Sequence, residues 1–414
     1  MVSAAAGDST RPQPVSTSPT NLRVTVFIPS LHQGGAERVV VDLANGLTSR
    51  GDHVQVVTMH ADRGVLREEL SPLVSCDALG ASSFKDAIFK LARLYDRDRP
   101  DVVLGTLYMN DIAAVIARYF SRHRPRIVAG AHNSLRHKIQ FPDNRKDKHL
   151  LLPLSRLFLR RADLVVGVSK GVTDEIRELV GLKSAKTMTI YNPVYRPEIE
   201  QKAEEVVEHP WLAKDRDAPA LVSVGRLVEQ KGLPDLIDAL RLVRNARPVR
   251  LLIVGDGPMR LALEAQVDRL GLRDDIDFVG TQSNPFKFMS RADLFVLSSH
   301  WEGLGNVVVE ALAVGCAVVA TDCDFGPNEI LEDGRFGILA DPRNPASLAA
   351  AIVAALDEPS NSPKRDREAL KRRAKQFSVD NAVAKYDSAF RDLLGASAIS
   401  HHDFGAGSRD LHRT

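Results

Sequence analysis

The chain has 414 residues, of which 44% are hydrophobic and 26% are charged, and 55 Lys or Arg residues against 53 Asp or Glu residues leave a net charge of +2. This length is enough for two domains of ordinary size, and the near balance of charge argues against a protein that binds nucleic acid. The cysteines Cys76, Cys316 and Cys323 are too few and too scattered for a disulfide framework or a metal cluster, which favours a reducing, cytoplasmic compartment.

The ends of the chain are predicted to be disordered tails, over residues 1–20 and 396–414. Between them we expect a first domain over residues 21–195, a second over residues 196–377 and a final helix over residues 378–395. The N-terminus lacks a basic segment followed by an apolar core, and no apolar run reaches the roughly 18 residues that a membrane span needs. Any membrane contact is therefore expected to be peripheral.

Short apolar strands alternate with helical stretches through the first domain, which is the pattern of a doubly wound parallel sheet. Strands are predicted at Val24–Ile28, Val54–Met59, Val102–Gly105, Ile127–Ala131 and Leu164–Val168. Ligands of such sheets bind beyond the carboxyl ends of the strands. The residues that directly follow these strands are therefore the first place to look for a site.

Two features follow strands in this way. Gly34 and Gly35 lie between the first strand and a predicted helix over Ala36–Ser49, at a turn where backbone can approach an anion. His132 comes directly after the strand that ends at Ala131. Taken alone, the glycines are equally explained by tight packing and the histidine by a structural role, so both readings stay open.

The second domain repeats the pattern after a polar linker predicted over Arg196–Ala218. Arg226 and Lys231 lie five residues apart on the glycine loop that follows the first of its strands. They are either surface charges or an anion-binding pair. The predicted strands are Leu221–Val224, Leu251–Val254, Ile276–Gly280, Leu294–Leu297, Ala317–Thr321 and Gly337–Leu339.

The stretch Ser298–Gly315 is the most informative part of the chain. It follows a buried strand and leads through Gly303 and Gly305 into an almost wholly apolar helix, on which Glu310 is the only charge. A buried carboxylate needs a partner. The residues alone leave two candidates, a structural Arg or Lys, and a ligand hydroxyl pair whose phosphates would lie at the helix N-terminus.

Glu302 and Glu310, separated by seven residues in this strand, glycine turn and helix, resemble the E-x7-E signature of retaining glycosyltransferase family 4 (glycosyl transferases group 1). The resemblance implies the GT-B fold, in which two Rossmann-like doubly wound domains face an interdomain cleft and the C-terminal helix crosses back to the first domain. It extends from about residue 22 to 394, nearly the whole chain.

The resemblance also implies site residues. Glu310 would hold the ribose of a nucleotide-sugar, and Glu302 would lie beside the donor sugar. Arg226 and Lys231 would neutralise the leaving diphosphate, and His132 would contact the donor sugar or the acceptor. The backbone positions that the family implies are Gly35 and Gly34 near the donor phosphates, Leu304, Gly305, Asn306 and Val307 at the diphosphate and sugar, and Val279 and Gly280 at the base.

The implied activity is transfer of a hexose or N-acetylhexosamine from a nucleoside diphosphate sugar, with UDP favoured, to a hydroxyl of a lipid-linked or polysaccharide acceptor. The new bond would be α, formed with retention and without a cofactor or metal. Three alternatives stay open: a nucleotide-sugar-binding protein without transfer, a nicotinamide oxidoreductase, for which no complete G-x-G-x-x-G follows a strand, and a metal-dependent GT-A enzyme. The Asp-x-Asp pairs that a GT-A enzyme uses occur at Asp96/Asp98, Asp275/Asp277 and Asp322/Asp324.

The stretch from Ala114 to Arg161 is strongly basic, with twelve Lys or Arg residues against two Asp. Within it, Leu150–Arg161 interleaves apolar and basic residues, as an interfacial helix does. Two interpretations stay open: peripheral contact with an anionic membrane at the inner face of the cell membrane, and a core-packing helix with a solvated basic edge.

Overall fold

The structure is a computed structural model, and it describes residues 21–32, 34–60, 64–141, 147–359 and 362–402. The two tails predicted at residues 1–20 and 396–414 fall outside these ranges, except for residues 396–402. Two fully parallel sheets form the framework of the described residues. The doubly wound α/β prediction is confirmed for both halves of the chain.

The strands of the first sheet are β1 (Arg23–Ile28), β2 (His53–Thr58), β3 (Ser75–Ala78), β4 (Val102–Thr106), β5 (Arg126–Ala131), β6 (Leu164–Gly167) and β7 (Thr187–Thr189). Their order across the sheet is β3-β2-β1-β4-β5-β6-β7. All five residues from Val24 to Ile28 in the interior strand β1 are buried, because helices cover both faces of the sheet. The rim strands β3 and β7 are short and contain no buried residue, and the apolar pattern does not predict them.

The strands of the second sheet are β8 (Ala220–Val224), β9 (Arg250–Val254), β10 (Ile276–Gly280), β11 (Leu294–Leu297), β12 (Val318–Thr321) and β13 (Ile338–Ala340). Their order across the sheet is β10-β9-β8-β11-β12-β13. The central strands β8 and β11 are short and, apart from Ser223, apolar, as expected for parallel strands that are buried on both faces.

Helices connect the strands and cover both sheets. None of those in the described ranges is both long and apolar enough to cross a membrane. They are α1 (Gly35–Ser49), α2 (Phe84–Asp98), α3 (Tyr108–Phe120), α4 (Leu135–Gln140), α5 (Asp147–Phe158), α6 (Lys170–Val180), α7 (Pro197–Ala203), α8 (Leu233–Ala246), α9 (Arg260–Leu270), α10 (Phe286–Met289), α11 (Asn306–Ala313), α12 (Pro327–Leu331), α13 (Pro345–Asp357), α14 (Arg367–Lys375) and α15 (Val379–His402).

The predicted linker contains a helix, α7, which begins at Pro197. Proline suits the first turn of a helix because its φ is already helical and its missing N–H is not needed there. Ile199 is buried, and the carbonyl of Lys202 accepts a hydrogen bond from Asn284 at 2.8 Å. The segment is therefore packed onto the second domain.

The last helix, α15, packs on the first sheet, as the resemblance implies. Its Tyr386 and Phe390 belong to the same core as β1, and a Cβ atom on Gly46 of α1 would overlap with Val383. The described part of the helix continues past residue 395 to His402, and residues 396–402 include no Gly or Pro that would interrupt it. Where the chain crosses between the domains, the backbone N–H groups of Val194 and Tyr195 both donate to the Phe377 carbonyl at 2.9 Å.

A second contact joins the domains through Glu329 of α12. The backbone N–H groups of Lys170 and Gly171, at the start of α6, donate to its carboxylate at 2.8 and 2.9 Å, and the Tyr191 hydroxyl donates at 3.0 Å. The carboxylate thus satisfies the otherwise unpaired N–H groups of a helix N-terminus in the other domain.

The basic stretch is largely built into the fold. Leu151, Ser155 and Leu159 form the buried face of α5 and the turn after it. Arg156 and Arg160 donate to the carbonyls of Leu179 and Val180 at the end of α6, both at 2.7 Å. Core packing therefore explains one face of the helix, as the second interpretation predicts, and only the other face is available for further contacts.

The packing of α15 can be tested with Phe390→Ala. Phe390 is fully buried against the first sheet, so we expect the change to lower the free energy of unfolding by about 3–5 kcal/mol. Urea denaturation followed by circular dichroism measures it. Leu261→Ala is the control, because Leu261 is 81% exposed; equal effects of the two changes would contradict the described packing.

Candidate active site

The two domains approach each other closely at the glycine turn before α11. A Cβ atom on Gly303 would overlap with the backbone carbonyl of His132, and the Ser169 hydroxyl donates to the Gly303 carbonyl at 2.6 Å. Gly305, with φ of 88°, lies in the left-handed region and is the N-cap residue directly before α11. The segments that follow the carboxyl ends of β5 and β11 therefore meet at one place, as the resemblance to the GT-B fold implies.

Glu302 lies in this turn and is 6% exposed. Its carboxylate is 2.6 Å from the Lys231 ammonium and accepts a hydrogen bond from the Ser299 hydroxyl at 2.6 Å. A buried ion pair with an additional hydrogen bond is held in a narrow geometry. The structure thus brings together two of the predicted residues, Glu302 and Lys231, which lie 71 positions apart in the sequence.

Glu310, on α11, is partly buried and forms no ion pair or hydrogen bond with any residue in the described ranges. Burial raises the pKa of its carboxyl, and the positive charges of Arg196 and Arg38 offset part of that rise. Both arginines are already paired with other carboxylates, Arg196 with Asp42 at 2.5 Å and Arg38 with Glu69 at 2.6 Å. Neither arginine therefore forms an ion pair with Glu310.

Arg226 follows β8 and is exposed. It lines a small cavity at the carboxyl ends of β8, β9 and β11, together with Gly225, Lys231 and Ser298. No ion pair of Arg226 occurs among the described residues. Two cations thus line one cavity, next to the Glu302 turn, in an arrangement that suits an anionic ligand.

His132 is 8% exposed, and its Nδ1 atom is buried without a hydrogen-bond partner in the described part of the chain. Burial lowers the pKa of the imidazole to about 4, so the ring is neutral at physiological pH. A buried polar atom without a partner is uncommon and is a candidate for ligand contact. A neutral imidazole with an open nitrogen can form one hydrogen bond to a hydroxyl.

The N-termini of α1 and α11 point into the same region. A Cβ atom on Gly35 would lie 3.6 Å from the side-chain amide nitrogen of Asn306, and the Asn192 amide donates to Asn306 Oδ1 at 2.9 Å. The first N–H groups of a helix have no partner within it, which leaves those of Asn306 and Val307 for a ligand. Leu304, in the same turn, is buried.

Val279 and Gly280 lie apart from this cluster. They end β10, the edge strand, which β9 separates from β8. The Gly280 carbonyl accepts from the N–H of Gly255 at 2.9 Å, and the Gln282 side chain donates to the Val279 carbonyl at 3.2 Å. Their contact with a base therefore remains a prediction.

Sequence reasoning missed three contributors. Ser299 holds Glu302, Asn192 holds Asn306, and Glu37 lies opposite Arg226, whose charge lowers the carboxyl pKa that burial raises. Ser299 and Glu37 are close in sequence to the motifs already identified, so position was an available signal. Asn192 offered none, because its partner is 114 residues away.

Metal ligands are a separate question. Within the described ranges, no group of three or more His, Cys, Asp or Glu side chains could hold a metal ion. In one of the Asp-x-Asp pairs, Asp275 is paired with Arg244 at 3.0 Å and with Arg250 at 2.8 Å, while Asp277 lies 2.9 Å from His209.

Comparison with known proteins matches both halves of the chain. Residues 33–195 match the family model Glycosyltransferase Family 4, and residues 207–377 match Glycosyl transferases group 1. The chain is 31% identical over 242 residues to the N-acetylgalactosamine-N,N'-diacetylbacillosaminyl-diphospho-undecaprenol 4-alpha-N-acetylgalactosaminyltransferase of Campylobacter jejuni. That alignment covers 58% of this chain and 63% of that protein, which is less than two thirds of its length.

A second relative is the lipopolysaccharide core biosynthesis glycosyltransferase LpsE of Rhizobium meliloti, 28% identical over 331 residues, which are 77% of this chain and 84% of that protein. Among solved structures, Anabaena HepE in complex with UDP superposes with a TM-score of 0.74 at 22% identity, over 90% of this chain and 100% of that chain. The fold excludes the single-domain GT-A alternative. The chain belongs to the GT-B glycosyltransferases, and its two halves carry the family 4 and group 1 domains in that order.

Proposed function

We propose that the protein transfers a hexose or N-acetylhexosamine from a UDP-sugar to a hydroxyl of a lipid-linked or saccharide acceptor. The observation that carries the proposal is Glu310, a partly buried carboxylate with no partner among the described residues, beside the α11 N-terminus. The Anabaena structure with UDP supports the nucleotide. The Campylobacter and Rhizobium relatives, whose names include a diphospho-undecaprenol and a lipopolysaccharide core, support the acceptor class.

The proposed reaction proceeds with retention and gives an α-linkage. The acceptor oxygen forms a bond to the anomeric carbon on the face from which the diphosphate departs, and the bond between that carbon and the phosphate oxygen breaks. The acceptor proton passes to the leaving diphosphate. The products are the glycoside and the nucleoside diphosphate, and no covalent enzyme intermediate is required.

The chain's own residues lower the barrier by stabilising the charge that develops on the diphosphate. Lys231, Arg226 and the N-terminus of α11 face that charge, so no metal ion is assigned to the reaction. Because Glu302, itself held by Ser299, already holds Lys231 in place, little reorganisation is needed when the charge appears. Neutral His132 would accept or donate one hydrogen bond to a sugar hydroxyl, and approach of the domains would exclude water.

Donor binding through Glu310 can be tested with Glu310→Gln. We expect the dissociation constant for UDP to rise roughly 10- to 100-fold, because charge-assisted hydrogen bonds to the ribose are lost. The ligand-free variant should melt at the same or a higher temperature, since an unpaired carboxylate is removed from a partly buried position. Calorimetry and thermal unfolding with UDP, UDP-glucose and UDP-N-acetylglucosamine measure both quantities.

The control for this test is Asp293→Asn, at the opposite end of the sheet, where the carboxylate binds Arg216 at 2.7 Å and the N–H of Ala220 at 2.8 Å. This change should lower the melting temperature and leave UDP affinity unchanged. Destabilisation by Glu310→Gln with unchanged UDP affinity would contradict the proposal. Binding without turnover on any acceptor would favour the alternative, a nucleotide-sugar-binding protein.

Stabilisation of the leaving group can be tested with Lys231→Met. We expect kcat to fall about 10²- to 10³-fold, with activity of the wild type retained in EDTA. Since the change leaves the buried Glu302 carboxylate without its cation, the double variant Lys231→Met/Glu302→Gln should recover stability but not kcat. Lys214→Met, at an exposed lysine of the same domain, is the matched control; a similar kcat in all variants would rule out the role of Lys231.

A lipid-linked acceptor would bring the protein to a membrane surface, and α5 offers a face for that contact. Leu150 and Leu157, one heptad apart, are 53% and 48% exposed, and Lys148 and Arg156 beside them are exposed. Apolar side chains next to basic ones are typical of peripheral binding to anionic lipid. We assign this face of α5 to the membrane.

This assignment predicts sedimentation with vesicles that contain anionic lipid, and its loss at high salt, because the attraction is screened. Leu150→Ser/Leu157→Ser should abolish the binding. Leu261→Ser, at an exposed leucine of the other domain, should not. Absence of wild-type binding even at low salt would remove the membrane contact.

A further inference from the structure

Glu37, in the first turn of α1, places a negative charge in a site for which we propose an anionic ligand. Its carboxylate is partly buried and folds back over Gly34, so that a Cβ atom on Gly34 would overlap with it. Its own backbone N–H also interacts with the carboxylate. Glu37 therefore occupies the N-terminus of α1, where the helix would otherwise present N–H groups to an anion.

Two other charged or titratable groups face this carboxylate. Arg226 approaches from the turn after β8 in the second domain, and His32 from the turn after β1 in the first. Burial raises the pKa of the Glu37 carboxyl, while its own N–H, Arg226 and His32 oppose the rise. The result is a carboxyl that takes up a proton more readily than an exposed glutamate does.

Each of the two cations that line the cavity already faces a carboxylate in the free protein, and Glu310 is a further carboxylate of the same site. Lys231 pairs with Glu302, and Arg226 faces Glu37 across the cleft. The approach of Gly35 to Asn306 shows that both of these helix N-termini border the same space. A nucleoside diphosphate sugar carries a negative charge on each phosphate, so its arrival leaves an excess of negative charge unless a carboxylate is neutralised.

We propose that the Glu37 carboxylate lies beside Arg226 in the free protein, where the diphosphate binds, and takes up one proton from solvent when the donor binds. The neutral carboxyl then donates a hydrogen bond to a phosphate oxygen, whereas the ionised carboxylate would repel that oxygen. This inference rests on the proposed function. It makes Glu37 a positioning residue of the donor site, with no part in bond making or breaking.

The sign of the pH effect follows from linkage. The pKa of a carboxyl that is protonated on binding is higher in the complex than in the free protein, so donor affinity is greatest at low pH and falls as pH rises between the two pKa values. Replacement by glutamine removes the titration. It keeps a side chain that suits this position of a helix N-terminus, so folding of the variant is expected to be intact.

The test is calorimetric titration with UDP-glucose or UDP-N-acetylglucosamine, without acceptor, in buffers of different ionisation enthalpy. These donors lose no proton near neutral pH, so proton uptake reports on the protein. For the wild type we expect uptake on binding and a dissociation constant that rises roughly threefold to tenfold between about pH 6 and about pH 8. Glu37→Gln should show no uptake, a flatter profile and tighter binding at the higher pH.

Glu229→Gln is the matched control, because it removes a carboxylate from the same loop as Arg226 but from an exposed position; it should keep the wild-type uptake. Uptake that persists in Glu37→Gln would assign the proton to another group, such as His32, and overturn the inference. Wild-type binding without uptake, or weaker binding by Glu37→Gln, would overturn it as well. If neither donor binds to the wild type, the proposed function fails and this inference with it.

Discussion

The contact between the His132 carbonyl and Gly303 is the constraint on which the rest of the site depends. No side chain fits between these two backbone segments, so the ends of β5 and β11 lie directly against each other. The Ser169 hydroxyl fixes the same turn from the first domain. Because of this approach, an imidazole from one domain and the Glu302 carboxylate from the other border a single space. Any residue with a Cβ atom at position 303 would separate them.

Charge in the site is arranged before any ligand arrives. Lys231 is held by Glu302, whose carboxylate also accepts a hydrogen bond from Ser299, and the arginines near Glu310 are held by Asp42 and Glu69. Glu310 itself is left unpaired among the described residues, although a partner would make the folded protein more stable. Proteins accept such a local loss of stability where function requires it. The unpaired carboxylate is thus better evidence for a ligand than any of the paired ones.

Patterns that repeat along the chain were predictable from sequence, whereas contacts between residues far apart in sequence were not. The central strands are four to six residues long and largely apolar, and the residues that follow them gather at one edge because parallel strands share their direction. The rim strands β3 and β7 lack that signal since they contain no buried residue. The helix in the linker carries a local signal, Pro197 in its first turn, but a polar composition hides it. The pairing of Lys231 with Glu302, and of Glu329 with the start of α6, joins residues far apart in sequence and leaves no local pattern.

The return of α15 to the first sheet has a topological consequence. The polypeptide crosses between the domains once in each direction. The two connecting segments lie side by side and are joined by the hydrogen bonds from Val194 and Tyr195 to Phe377. The second domain is therefore inserted within the first domain, and two adjacent segments connect them. Two adjacent connections allow a hinge rotation of one domain as a rigid unit but restrict its translation and its rotation about the connecting axis. A single proteolytic cut in either connecting segment would leave the domains joined by the second segment.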